Sequence, residues 1–192
     1  MQENFRSFTD EELVVDISKG VHSAFAELVQ RHGVRFFRVA QRIVQHSQDA
    51  EDVVQEAFLQ LWKEPWRFDV HRGVKFTTWF YQIITNRALN LIKSKKNTVN
   101  EALEELQDES MAIDVKIEEQ AKQKMLGAAI LSLPQHQQMA LNLCFYEEFS
   151  NQEAASIMGM SVKALQSLIM RAKNKLRIKL ASLNEHNDVR VK

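Results

Sequence analysis

The chain contains few residues that break or cross-link regular structure. Its 192 residues include five glycines, two prolines and one cysteine. So few turn-forming residues favour long helices, and a single cysteine excludes both an internal disulfide and a multi-cysteine metal site. That cysteine, Cys144, lies in the apolar run Leu141–Phe145. We therefore expect Cys144 to be a buried structural thiol.

The chain also lacks a long apolar run and a net charge. No segment approaches the roughly 18 apolar residues of a membrane span, and the first residues do not have the pattern of a signal peptide. We therefore expect no membrane insertion and a cytoplasmic protein. The 25 basic and 25 acidic residues balance, so the chain is not expected to coat DNA by charge alone.

The charges are distributed unevenly along the chain. Residues 97–120 carry one lysine and eight acids, whereas the segments on either side are mildly basic. Few large apolar groups accompany these acids, which predicts a tether between two folded regions. Such a tether can imitate nucleic acid in a basic channel, although an ordinary solvated linker explains its charge nearly as well.

Before this tether, apolar residues recur every three or four positions. The pattern predicts a short helix over residues 13–17, capped by Thr9 or Asp10, and long helices over about 23–45 and 77–95. Another long helix is predicted to begin with Ser47 as its cap and to end before Pro65. Together these helices have enough apolar surface to close a bundle near residue 96.

After the tether, the pattern predicts a helix-turn-helix. Helices are expected over about 115–131 and 134–147. Next, Ser150 and Glu153 form a capping box, Gly159 suits a tight turn, and Ser161 can cap the last helix. A basic run follows: Arg171, Lys173, Lys175, Arg177 and Lys179. This combination is typical of the device that places one helix in the DNA major groove.

The last helix has two distinct faces. The apolar stripe consists of Leu165, Leu168, Ile169, Ala172 and Leu176. The opposite face carries Lys163, Gln166, Ser167, Met170, Arg171 and Asn174. Glutamine and arginine can read base edges, lysine can hold phosphate, and the helix N-terminus adds partial positive charge. The alternative is an amphipathic helix whose basic face is only solvated.

A carboxylate cluster stands at the start of the helix that begins near Ser47. It consists of Asp49, Glu51, Asp52 and Glu56. No paired histidines, phosphate-binding glycine loop or nucleophile motif accompanies it, so we predict no catalytic residue, no metal and no cofactor. From the residues alone, an acidic face that docks a basic partner and a merely solvated first turn are equally favoured.

Three blocks, in order, resemble the bacterial RNA polymerase sigma factors of the extracytoplasmic-function (ECF) group. They are DAEDVVQEAFLQLW over Asp49–Trp62, FTTWFYQIITNRALN over Phe76–Asn90, and Leu133-Pro134 followed by the helix-turn-helix. The resemblance implies an all-α protein in which two small helical domains are joined by an acidic linker. The implied boundaries are 1–96 for the polymerase and −10 domain, 97–119 for the linker, 120–183 for the −35 domain and 184–192 for a polar tail.

The resemblance also implies roles for residues of the N-terminal domain. The polymerase-binding residues would be Asp49, Asp52, Gln55, Glu56 and Trp62. The −10 element would be contacted by Lys75, Tyr81, Asn86, Lys93, Lys95 and Lys96, and the loop from Arg67 to Lys75 would hold a flipped base. Their helical spacing predicts that Trp79 and Phe80 belong to the core, whereas Tyr81 is predicted to be an exposed ring.

In the C-terminal domain, the implied −35 contacts are Ser161, Lys163, Gln166, Ser167, Met170, Arg171 and Lys173. Many relatives have lysine or arginine where this chain has Gln166 and Leu168, which leaves the −35 bases open. The predicted function is therefore that of a sigma factor, which performs no chemistry itself. It would give promoter specificity to core RNA polymerase and help to melt promoter DNA, and the family implies an anti-sigma factor as a further partner.

Two other functions compete with this prediction. A stand-alone helix-turn-helix regulator would need a ligand domain, a phospho-acceptor domain or a dimer interface. Residues 1–96 show neither an α/β pattern nor a sustained heptad repeat. A helical enzyme built on the carboxylate cluster would instead need Asp52 and Glu56 for turnover, whereas the sigma-factor prediction needs them for polymerase binding.

Overall fold

The computed structural model describes residues 5–99 and 125–188. Every regular element in these two ranges is helical and none is a strand, which confirms the all-α prediction. Contacts divide the chain into two compact units. Residues 97–99 of the predicted acidic linker still belong to a helix that ends at Val99, and the rest of the linker lies outside the described residues. In the two described ranges, no helix has the length and apolar character needed to span a bilayer.

The N-terminal unit contains the predicted long helices. They are α1 (Asp10–Ser18), α2 (His22–Val44), α3 (Ser47–Lys63) and α4 (Phe76–Val99). Thr9 caps α1 in a capping box with Glu12. The other predicted cap, Asp10, is already bonded to His32 and Arg31 of α2. The prediction that Ser47 caps α3 is wrong, because Ser47 is already helical and His46 precedes it without a side-chain cap.

Aromatic rings fill the core where α2, α3 and α4 meet. The centroid of Phe36 lies 4.7 Å from that of Phe80 and 4.9 Å from that of Tyr81. Phe58 lies 4.8 Å from Phe80. Packed aromatic pairs of this kind add to the stabilisation that comes from the buried area itself. The N-terminal unit therefore rests on contacts between rings that are far apart in the sequence.

The loop between α3 and α4 consists of two short 3-10 turns, Pro65–Arg67 and Val70–Arg72. Asp69 caps the second turn by accepting a hydrogen bond from the His71 N–H at 3.0 Å. Gly73 then adopts a positive φ of 65°. Within this loop Pro65 and Phe68 are buried, while most other side chains are exposed. The loop is thus anchored from inside and keeps an accessible outer surface.

The described residues of the C-terminal unit form four α-helices. They are α5 (described over 125–131), α6 (Gln135–Leu141), α7 (Asn151–Ile157) and α8 (Val162–Asp188). A π-helical turn, Asn142–Tyr146, continues α6. Pro134 stands in the cap position before α6 with extended backbone, one place earlier than predicted. Leu133 and Leu141 pack with Ala172 and Leu176, so α8 contributes two of the four residues in this apolar cluster.

The predicted helix-turn-helix is present with its expected local signals. The Ser150 N–H donates to Glu153 Oε2 at 3.1 Å, and the Glu153 N–H donates to Ser150 Oγ at 3.2 Å. Gly159 has a φ of 62°. Ser161 Oγ accepts a hydrogen bond from the Ala164 N–H at 3.2 Å. The caps and the turn were therefore predicted correctly, because each depends on residues at most three positions apart.

Candidate functional site

The exposed face of α8 carries the residues that the sequence predicted for it. Leu165 and Ala172 are buried, and Leu168, Ile169 and Leu176 are half-buried. On the other side Ser167 is half-buried, and the remaining predicted side chains are exposed: Ser161, Lys163, Gln166, Met170, Arg171 and Lys173. The structure thus brings all seven predicted −35 residues onto or beside one accessible surface of a single helix.

On this face, a hydrogen bond to the backbone partly fixes the orientation of the Arg171 side chain. Its Nε donates to the Ser167 carbonyl oxygen at 3.3 Å, one turn earlier. This bond holds the guanidinium along the helix surface. No described residue accepts from its two Nη groups, which are the donors used in bidentate contacts to an acceptor pair. Arg171 can therefore contact a base edge or a phosphate without losing its internal hydrogen bond.

A groove of about 570 Å³ adjoins this face, and the sequence did not predict it. Gln166, Met170 and Lys173 line it from α8, and Phe145 and Phe149 line it from the segment after α6. Phe145 is 54% exposed, and the Lys173 ammonium lies 4.8 Å from its ring centre. The available signal was the run of aromatic residues after Asn142, whose burial the helical period alone could not decide.

Cys144 lines the same groove and is half-buried, so the prediction of a buried thiol is correct only in part. Burial raises the pKa of the Cys144 thiol above its ordinary value. A raised pKa keeps the thiol protonated and unreactive near neutral pH, because the thiolate is the nucleophile. The structural role predicted for Cys144 is therefore the one that its surroundings support.

The carboxylate cluster lies on α3, and part of its charge is compensated from α4. The Lys95 ammonium lies 2.5 Å from the Asp49 carboxylate, and Arg87 Nη1 donates to Glu56 at 2.6 Å. The Asp49 side chain is only 16% exposed. By contrast, Glu51 and Asp52 are exposed and have no charged partner among the described residues. Within the described ranges no three acid, His or Cys side chains converge into a metal-binding group.

An apolar groove of about 610 Å³ runs between α2 and α3 beside this cluster. Its apolar lining is Phe25, Val29, Phe37, Val54, Phe58, Leu59 and Trp62. Glu51 and Gln55 stand among the lining residues, so two polar side chains of α3 border an apolar surface. Trp62 is held in place by stacking on His22 at 4.5 Å. The contribution of α2 was missed because its apolar residues were assigned to the core.

The predicted −10 residues of α4 divide into accessible and inaccessible ones. Asn86, Lys93 and Lys95 are exposed on α4, and Lys75 is exposed just before it. The side chain of Lys96 lies outside the described residues. Lys95 is less available than predicted, because it pairs with Asp49.

The prediction that Tyr81 is an exposed ring is wrong. Tyr81 is 0% exposed, its ring contacts Phe36, and the Arg35 guanidinium lies 5.6 Å from its centroid. Because α4 packs against both α2 and α3, it buries a wider arc than one apolar stripe, and the neighbours Phe80 and Tyr81 are both inside. Phe80 is in the core as predicted, and Trp79 is half-buried against Phe68.

Trp66 is the exposed ring of this region, and the sequence did not single it out. It is 72% exposed in the turn Pro65–Arg67, and no described aromatic ring contacts it. Its neighbour Arg67 pairs with Glu64 at 2.5 Å, and Arg72 pairs with Asp69 at 3.2 Å. The signal was a tryptophan directly after a proline, outside any helical period. An exposed aromatic ring therefore directly precedes the loop from Arg67 to Lys75, to which the family resemblance assigned a flipped base.

Comparison with known proteins gives consistent matches for both units. Residues 28–98 match the family model of Sigma-70 region 2, and residues 123–176 match that of Sigma-70, region 4. The chain is 31% identical over 188 residues to the ECF RNA polymerase sigma-E factor of Escherichia coli strain K12. The match covers 91% of this chain and 96% of that protein.

Two further comparisons extend this similarity. The ECF RNA polymerase sigma factor SigE of Mycolicibacterium smegmatis is 31% identical over 159 residues, covering 81% of this chain and 61% of that relative's length. Among solved structures, CnrH in complex with the cytosolic domain of CnrY is similar with a TM-score of 0.67 and 25% identity. That match covers 90% of this chain and 97% of the CnrH chain.

Proposed function

This chain belongs to the ECF RNA polymerase sigma factors, and from that premise we propose how its two units divide promoter recognition. The N-terminal unit docks on core RNA polymerase and holds the −10 element as the duplex opens. The C-terminal unit reads the −35 element with α8. The protein acts in the cytoplasm, performs no chemistry of its own, and is held inactive by an anti-sigma factor until it is needed.

The observation that carries the proposal is the exposed polar face of α8, the second helix of the capped helix-turn-helix. Gln166 can bond an adenine edge through its amide, and Arg171 can bond a guanine or a phosphate through its Nη groups. Lys163 and Lys173 supply positive charge for phosphates. The α8 N-terminus at Ser161 adds partial positive charge toward the DNA backbone.

The polymerase-docking surface is formed by the apolar groove between α2 and α3 together with the acidic edge of α3. An apolar centre bordered by polar groups is the usual anatomy of a protein interface. Asp52 and Gln55 are exposed at this edge, and Trp62 contributes to the groove. Asp49 and Glu56 already bond to Lys95 and Arg87, so we assign the main charged contact to Asp52.

For the −10 element we propose that Trp66 takes the stacking role predicted for Tyr81. An exposed indole can stack on an unpaired base, and such stacking contributes about 1–3 kcal/mol per base. The loop Arg67–Lys75 then surrounds the flipped base, and Asn86 and Lys93 extend the contact along α4. Taking one base out of the duplex is how a protein can hold the strands apart locally.

The two DNA contacts are weak separately and become strong only when polymerase holds both units. The chain has no net charge, so its overall field attracts DNA little, and only the few basic side chains that contact phosphates release counterions when the free protein binds. Binding to core polymerase fixes two sites on one scaffold, which makes the second contact intramolecular. Affinity and sequence specificity should therefore appear together when the core enzyme is added.

The test measures promoter binding with and without core polymerase. A fluorescent promoter fragment is titrated with the free protein and with the reconstituted holoenzyme over a series of salt concentrations. We expect weak, salt-sensitive binding by the free protein and sequence-specific binding by the holoenzyme. Tight, specific binding by the free protein would instead favour a stand-alone helix-turn-helix regulator. A fragment with both elements scrambled is the matched control for non-specific binding.

A further inference from the structure

Four consecutive residues at the start of α1 make three different sets of contacts. Thr9 and Glu12 bond each other, with the Thr9 N–H donating to Glu12 Oε2 at 2.7 Å. Asp10 accepts from His32 Nε2 at 2.8 Å and from Arg31 Nη1 at 3.2 Å. Glu11 Oε1 accepts the backbone N–H of Phe76 at 2.8 Å. This short segment thus joins α1 to α2 and to the first residue of α4.

Glu11 supplies the hydrogen-bond acceptor that the residues at the start of α4 do not provide. Lys75 precedes the helix, as the Trp79 N–H bond to the Lys75 carbonyl shows, and a lysine side chain has no acceptor to cap a helix. The first N–H groups of a helix need acceptors from outside it. Glu11 provides one for Phe76 and places a carboxylate at the positive end of the helix dipole. A residue of α1 therefore does for α4 what a local cap does elsewhere.

Phe76 also connects this cap to the loop before it. Its ring is buried and lies 5.7 Å from Phe68, edge to face, and Phe68 is the inner anchor of the loop. At the other end of the loop, α1 contacts the turn Pro65–Arg67. Helix α1 thus holds both ends of a segment whose outer side chains, Trp66 among them, are exposed.

We propose that Glu11 is a positioning residue for capture of the flipped −10 base. By capping α4 from α1, it keeps the loop Pro65–Lys75 in the shape that receives the base. Without this acceptor the first turn of α4 loosens, and the loop spends less time in that shape. The apparent affinity for the base falls by the same fraction. This inference rests on the proposed −10 role of the loop.

The experiment compares Glu11→Ala, Glu11→Gln and Glu12→Ala in the holoenzyme. Glu12 is the matched control, because it is the neighbouring glutamate and its side chain bonds to Thr9 at the start of the same helix. A single-stranded non-template −10 oligonucleotide with 2-aminopurine at the flipped position reports base capture. Duplex −35 binding and core-polymerase affinity are measured in parallel, and circular dichroism checks the fold.

We expect Glu11→Ala to lower the affinity for the oligonucleotide by up to about tenfold, within the range for loss of a helix cap. Polymerase and −35 affinities should not change. Glu11→Gln should retain most of the capture, since its amide oxygen still accepts the Phe76 N–H. Glu12→Ala should capture the base as the unaltered protein does. Equal capture by Glu11→Ala, or an equal loss in Glu12→Ala, would overturn the assignment to Glu11.

Two further outcomes are separable. If Glu11→Ala unfolds, Glu11→Asp keeps the charge but shortens the reach to Phe76, and unchanged capture in that folded variant would equally overturn the proposal. If the unaltered holoenzyme itself fails to capture the 2-aminopurine base, the proposed −10 function of the loop is wrong, independently of Glu11. The positioning role is supported only when the unaltered protein captures the base and the Glu11 variants differ selectively.

Discussion

The two units place their functional side chains by different means. In the helix-turn-helix, α8, the proposed reading helix, is positioned by contacts between neighbours in sequence: Ser150 with Glu153, the turn at Gly159 and the cap at Ser161. In the N-terminal unit the loop proposed for the −10 element is followed by a helix whose first N–H bonds to a residue far away in sequence, Glu11. A local device is altered by a change within its own few residues, whereas a long-range device can be altered from another helix.

The largest effect is expected on the free energy of unfolding, when Asp10 is changed and its contacts with α2 are weakened. Asp10→Asn removes the charge that faces Arg31 and His32, and a hydrogen bond to a charged group contributes about 1.5–3 kcal/mol. Urea unfolding followed by tryptophan fluorescence measures this loss, since Trp62, Trp66 and Trp79 all lie in this unit. Asp16→Asn, which affects only a pair with the exposed Lys19, is the control and should cost about 0–1 kcal/mol.

The difference in stability between the unaltered protein and Asp10→Asn should depend on pH. Burial alone would raise the pKa of Asp10, but hydrogen bonds and charges from His32 and Arg31 outweigh it and hold the pKa below its ordinary value of 3.8. A depressed carboxyl pKa means that the stabilisation is fully present above the ordinary value and is lost as pH falls through the folded-state value. The two proteins should therefore converge in stability below pH 3.8. A constant difference down to strong acid would show that charge is not the cause.

The contrast between local and long-range contacts also explains which features the sequence could predict. The capping box at Ser150, the turn at Gly159 and the polar face of α8 depend on spacings of a few residues, so the helical period and cap chemistry were sufficient. The burial of Tyr81 depends on α4 being packed against two helices. Lys95 and Asp49 pair although they are 46 positions apart in the sequence, and a local sequence pattern cannot indicate that they are close in space.

A further prediction concerns direct contact with the opened strand. Trp66→Ala should weaken holoenzyme binding to a single-stranded −10 oligonucleotide by about 1–3 kcal/mol, because one stacked base loses its partner. Trp66→Phe should keep most of the affinity, as it retains a ring. Unfolding stability should change little, since Trp66 is 72% exposed. The affinities are measured by fluorescence anisotropy.

Val34→Ala is the control for the Trp66 prediction, because Val34 is an exposed apolar residue without a ring that lies on α2, outside the loop. It should bind the oligonucleotide as the unaltered protein does. If Trp66→Ala and Val34→Ala weaken binding equally, the indole is not a stacking platform. A loss that appears equally on duplex −35 DNA would also contradict the division of roles between the units.

The smallest expected effect comes from two glycines with nearly the same backbone, Gly73 in the loop before α4 and Gly159 in the helix-turn-helix. Gly159 has a φ of 62° and Gly73 a φ of 65°, and an added Cβ would meet no atom within 4 Å at either position. The cost of alanine is therefore conformational at both, about 1–2 kcal/mol for a left-handed residue, without a clash. Asparagine tolerates this conformation better and should recover part of the loss.

The two glycine variants should nevertheless differ in function. Gly159→Ala disturbs the turn before α8, so it should weaken duplex −35 binding and leave capture of the −10 strand unchanged. Gly73→Ala disturbs the loop before α4, so it should have the opposite pattern. Both affinities are measured on the holoenzyme with separate −35 duplex and −10 single-strand probes. Because the strain introduced at each glycine is the same, a difference between the two variants reports the position of the change. Similar losses on both probes from either variant would mean that the units do not act on separate promoter elements.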